Sequence, residues 1–154
     1  MKSRSVAVLV LIAFATTLAF ANAAENCGVQ ILKPYGSSVQ AGDITADLGP
    51  ADDSKQASAW LGPITVGACS FDLDIIEEPL AITSRGQLIV STYSGSQRTV
   101  SLLNLATCET TWQSATFEGR FEIRSGILHL GTSRYALDER CRPIKRMSTP
   151  SILR

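Results

Sequence analysis

RGQLIVSTYSGSQRTVSLLNLATCETTWQ, residues 85–113, decides how this chain folds. Residues 87–93 are dense in β-branched and aromatic side chains, the composition of a strand. Successive strand residues point to opposite sides, so Leu88 and Val90 share one face while Ile89 and Tyr93 share the other. Both faces are apolar, so both can be covered. Ser94-Gly95-Ser96 reads as the turn, with glycine free to take positive φ. Residues 99–105 return as a second strand, Cys108 marks a short turn, and residues 109–113 form a third strand.

The pattern recurs 40 residues on: Gly86, Leu88 and Thr92 match Gly126, Leu128 and Thr132. Further along, Leu103-Asn104 meets Leu137-Asp138, and Cys108 meets Cys141. By then the offset has fallen to 34 and then 33, because Thr92 to Leu103 is six residues longer than Thr132 to Leu137. An insertion confined to one loop of a repeat marks the working face. Tyr93, Ser94, Gly95, Ser96, Gln97 and Arg98 are therefore the leading candidates for binding a partner.

Residues 1–23 read as a signal peptide. Lys2 and Arg4 precede an apolar stretch over residues 6–20, and Ala21-Asn22-Ala23 is a small-x-small cleavage signal. The stretch is shorter than the roughly 20 apolar residues that span a bilayer, so no membrane anchor is expected. Residues 24–154 then form a single domain, exported and, from the alanine-rich style of the leader, periplasmic. Cys27, Cys69, Cys108 and Cys141 are an even set in an oxidising compartment, so two disulfides are expected, and three pairings remain open. Formal net charge is zero over the whole chain. Residues 25–78 hold nine acids and two bases, and residues 118–154 hold eight bases and four acids. We expect the two ends to neutralise each other in the fold. Nucleic acid is not an expected partner, because the basic segment lacks interleaved aromatics.

Along the chain, short strands are expected at 28–32, 44–48, 70–75 and 142–145, with Glu77-Glu78-Pro79 ending the third of these. In that third strand Phe71, Leu73 and Ile75 share one face, and Asp72 and Asp74 share the other. No secure amphipathic helix appears after the leader, so the fold class is all-β. Each cysteine precedes a strand, at spacings of 42, 39 and 33, the lengths of four-stranded repeats. The chain reads as three repeats, with its first and last strands left to meet.

The pattern G-x-L-x-V-x-T, a hairpin, then V-S-L-L-N-L-A-T-C-E-T-T-W resembles a β-propeller blade of the quinoprotein and WD type. The resemblance covers residues 80–146 well and 27–79 poorly. It implies an incomplete, about three-bladed β-propeller-like arrangement of antiparallel sheets. An exported, cysteine-bearing chain of this size is also similar to the periplasmic immunity proteins that neutralise type VI secretion amidase effectors. That likeness implies a protein partner, a secreted peptidoglycan amidase, blocked by a loop pushed into its active site. On it, Ser94 and Ser96 would contact the catalytic imidazole, Tyr93 would anchor the loop and Arg98 would hold its rim.

Catalysis by this chain is not expected. His129, the one histidine, stands between Leu128 and Leu130 in a strand, where a structural or simply exposed role is the simpler reading. A zinc site would need thiolates that disulfides already occupy. Asp72 and Asp74 could serve a hydrolase, but alternating acids opposite apolar residues describe the wet side of an edge strand. Trp112 reads as packing against the next blade, and Trp60 as either core or a partner anchor. Neither a metal nor a cofactor is expected. The alternative function is a non-catalytic periplasmic module that binds protein or glycan.

Overall fold

The computed structural model describes residues 27–53 and 56–147; the expected signal peptide lies outside them. Fourteen strands and no helix occur among the described residues. In chain order they are β1 (Val29–Leu32), β2 (Ser38–Ala41), β3 (Ile44–Asp47), β4 (Ala59–Trp60), β5 (Ile64–Val66), β6 (Cys69–Phe71) and β7 (Ile75–Thr83). There follow β8 (Gln87–Ser94), β9 (Gln97–Asn104), β10 (Glu109–Gln113), β11 (Phe121–Arg124), β12 (Ile127–Leu130), β13 (Ser133–Leu137) and β14 (Pro143–Arg146). The chain is all-β, built from three antiparallel sheets.

The central sheet runs β1-β7-β8-β9-β10, with β4 also pairing to β7. A first outer sheet runs β2-β3-β5-β6 and a second runs β11-β12-β13-β14. The alternation in β8 explains why the long strands lie in the middle. Leu88 and Val90 join Leu103, Leu80 and Ile76 in one core cluster with Val39, Leu48, Ile64 and Phe71 of the first outer sheet and its loops. Ile89 points the other way, joining Val100 and Leu102 in a second cluster with Phe121, Leu128 and Leu130 of the second outer sheet. A sheet covered on both faces must be apolar on both; β8 and β9 satisfy this, and β7 sends Ile76 and Leu80 into one cluster and Ala81 into the other.

Several expectations need correction. The alternation over 71–75 is not a strand: β6 stops at Phe71, and residues 72–74 are the crossover from the first outer sheet to the centre. Glu77-Glu78-Pro79 does not end a strand but sits inside β7, where the register shifts between Glu77 and Ala81. Pro79 has no N–H to give a ladder, and the irregularity accommodates it. One half of β7 pairs with β4 and the other with β1. The first and last strands do not meet, since β1 pairs with β7 and β14 with β13. Trp60 is core, 1% exposed, with its indole N–H donated to the Gly36 carbonyl at 2.8 Å.

Two disulfides join the layers. Cys69–Cys108 links the first outer sheet to the central one, and Cys27–Cys141 links the chain ahead of β1 to the turn before β14. Cys108 and Cys141, matched as repeat partners in the sequence, share the same left-handed backbone, φ 58 and 59, each just ahead of the last strand of its sheet. No described cysteine is free, which agrees with an oxidising, exported compartment.

Candidate functional site

β8 and β9 pair without interruption from Gln87↔Asn104 to Ser94↔Gln97, leaving Gly95 and Ser96 as a two-residue turn. Gly95 has φ 63 at the first central position, the requirement of a type II′ hairpin. The shorter β12–β13 hairpin also closes in two residues, between Leu130 and Ser133. The six extra residues therefore lengthen the strands rather than the loop. What the sequence presented as an inserted loop is a stiff two-stranded extension with a small tip.

The extension is braced from below. Glu77 accepts hydrogen bonds from Arg98 Nε at 2.7 Å, Arg98 Nη2 at 3.3 Å and Ser91 Oγ at 2.9 Å. Side chains of Arg98 and Glu77 are 25% and 16% exposed, so the pair is largely shielded. The Arg98 guanidinium also lies 5.8 Å from the centre of the Tyr93 ring. Backbone bonds in both directions, 2.8 and 3.0 Å, tie Arg98 to Phe117, and Gln97 Nε2 donates to Glu118 Oε1 at 3.1 Å. Glu77, the hub, was not legible as such: in the sequence it stands beside Glu78 and Pro79 and resembles a strand end. Glu77→Ala should cost about 2–3 kcal/mol, because it leaves a shielded guanidinium and hydroxyl unpaired. Urea unfolding measures this, and Glu77→Gln should lose less.

Of the six candidate residues, Ser94, Gly95 and Ser96 form an exposed tip. Tyr93 and Arg98 are half-buried parts of the brace, and Gln97 bonds to Glu118. Arg98 is therefore not a free rim residue. Asp72 and Asp74 border a cavity of about 250 Å³ with Thr92, Thr99 and Gln113, on the crossover rather than on an edge strand. Trp112 packs edge-on to Tyr135 of β13, ring centres 5.3 Å apart, which is the inter-sheet packing expected of it. His129 is half-buried in β12. Among the described residues no three of His, Cys, Asp or Glu converge as a metal site would require, and no helix is long and apolar enough to cross a membrane.

The ion pairs among the described residues are Arg98–Glu77, Arg124–Glu122 and Arg142–Asp138, none of which joins the acidic N-terminal part to the basic C-terminal part. Two loop carboxylates organise backbone instead. Asp52 accepts from the Ser58 and Ala59 N–H groups and from the Ser58 hydroxyl, which lowers its pKa from 3.8 to about 2. Asp138 is lowered by the backbone N–H and guanidinium of Arg142. Both favour the charged form in the fold, so each contributes stability that is lost on acidification, for Asp52 as pH falls from 4 to about 2. The melting temperature should drop over that interval, and Asp52→Asn should flatten part of the drop.

No family model, curated protein or solved structure matches this chain.

Proposed function

We propose that this chain is a periplasmic inhibitor of the immunity-protein kind, acting by binding rather than by chemistry. Its target is a secreted peptidoglycan amidase, and its inhibitory element is the β8–β9 tip. The observation that carries the reading is a stiff hairpin with a tip of small residues. Ser94, Gly95 and Ser96 can enter a narrow cleft, and the two hydroxyls can donate to or accept from a catalytic imidazole. Tyr93, Arg98 and Glu77 hold the hairpin in one geometry, which reduces the ordering cost of binding.

Shortening the hairpin is a poor test, because removing Arg98 also removes the brace on Glu77. The informative changes are at the tip. Ser96→Trp should leave the melting temperature within about 2 °C of wild type, since a fully solvated turn contributes little to the core. It should weaken binding to a peptidoglycan amidase encoded beside this chain at least tenfold, by calorimetry. A Ser96→Trp chain that binds and inhibits that enzyme like wild type removes the tip from the mechanism. A second reading is a glycan-binding module. The Asp72, Asp74, Thr92, Thr99 and Gln113 cavity favours it, offering carboxylate, hydroxyl and amide groups to a sugar. Binding of peptidoglycan fragments that Asp74→Ala abolishes and Ser96→Trp leaves intact would select it.

A further inference from the structure

The two outer sheets end the stack differently. The outward side of the first is small and polar: the register aligns Ser38, Asp47, Thr65 and Ser70 in one row, with Gln40 opposite Thr45 beside it. A polar outer face is what finishes a stack of layers in water. The outward side of the second sheet is not finished in this way. One cross-strand row there reads Glu122, His129, Arg134, Arg146, and the next reads Arg124, Ile127, Ala136, Ile144. Arg134 stands directly opposite Arg146, a like-charge pairing that destabilises a sheet. Neither has an ion-pair partner among the described residues, and Glu122 is already held by Arg124. Beside them Ile144 is 54% exposed.

We infer that this face docks an acidic protein surface carrying a short apolar strip. The paired arginines supply the cationic row, and Ile127, Ala136 and Ile144 supply a matching apolar row one step along the strands. A second copy stacked face to face would set arginine against arginine. Stacked on the first outer sheet, it would meet Asp47 as the one acid in the rows. The seven residues after Met147 contain no acid and bring no countercharge. A bilayer fits poorly, because Ile144 is the one largely exposed large hydrophobic of the two rows, too little apolar surface to insert into lipid. This face is separate from the hairpin tip and does not depend on the inhibitor reading.

The test uses the full chain and a heptapeptide alternating glutamate and leucine, followed by fluorescence anisotropy at low and high salt. Saturable binding is expected, falling at least tenfold in Arg134→Glu and in Arg146→Glu and weakening as salt rises. Lys145→Glu is the control for net charge: it lies on the same strand in the Tyr135 row, on the inward side. It should bind like wild type or nearly so. Arg134→Gln should melt at or slightly above the wild-type temperature, since it relieves the like-charge pair, so lost binding is not lost folding. The inference is overturned by any of three results. The peptide fails to saturate, or Lys145→Glu weakens binding as much as Arg134→Glu. Alternatively, phosphatidylglycerol vesicles or self-association in sedimentation, rather than the peptide, respond to Arg134→Glu.

Discussion

Replacing Cys27 and Cys141 together by serine should lower the melting temperature by about 15 °C. The bond joins residues 114 apart in sequence. Opening a loop of about a hundred residues returns about 4.7 kcal/mol of chain entropy to the unfolded state. The second bond, Cys69–Cys108, closes 39 residues inside that loop, so the outer loop is effectively shorter and its share falls to about 4–4.5 kcal/mol. Each kcal/mol shifts the midpoint of a domain this size by about 4 °C. No strand pairing between β1 and β14 substitutes for the lost link. Calorimetry of the double variant beside the oxidised wild type measures the shift. A drop of less than about 3 °C would mean that the unfolded chain is already compact, and the entropic account would fail.

Trp60→Ala is expected to cost about 3–5 kcal/mol, the range for deleting a large aromatic from a close-packed core. Trp60 is 1% exposed, and its cluster includes Leu48, Ile64 and Ile76. Its strand β4 is only two residues long but is bonded on both sides, to β7 and to residues 48–52, so the backbone holds its place and the loss falls on the cavity left by the ring. Trp60→Phe separates the contributions. It keeps most of the apolar contact and removes the indole donor to Gly36, whose carbonyl lies in an exposed turn where water can replace it. That variant should lose only about 1 kcal/mol beyond the small change in volume. Urea titration gives both values. Equal losses would assign the stability to the hydrogen bond rather than to packing.

The repeat was legible because it is local. Leu88, Ile89 and Val90 alternate over adjacent positions, and the turn at Gly95 needs positive φ that glycine supplies. The third strand, β10, falls on the residues expected for it. β7 was not legible, because Pro79 ends most strands, and only the shifted register opposite β8 lets this one continue. β2 went unseen: Ser38-Val39-Gln40-Ala41 has one strong strand former and takes its shape from pairing with β3. Pairing is also what separated loop from strand in the six-residue difference, which sequence expresses only as length. Trp60 shows the same limit. Its neighbours Gly62 and Pro63 look like a surface turn, and much of its burial comes from residues over ten positions away in either direction, among them Val39 and Phe71. At the tip, residue type alone identified Ser94-Gly95-Ser96, but Glu77 became part of that neighbourhood only once β7 lay beside β8.

The Cys27–Cys141 bond also determines how the molecule bears load. The two Cα atoms are 5.1 Å apart, and nearly all the described residues lie between them along the chain. Tension applied ahead of Cys27 and beyond Cys141 first loads β14, which follows Cys141 and is held by β13 alone; once β14 is peeled away it passes from one sulfur to the other, and the strands between the two cysteines carry none of it. Under oxidising conditions such a pull peels β14 from β13 and then meets a covalent bond, with no further ladder of hydrogen bonds to unzip. Reduction extends the same pull to β1, like β14 an edge strand held along one side only. The chain is thus a mechanical shunt whose resistance to stretching is governed by its redox surroundings.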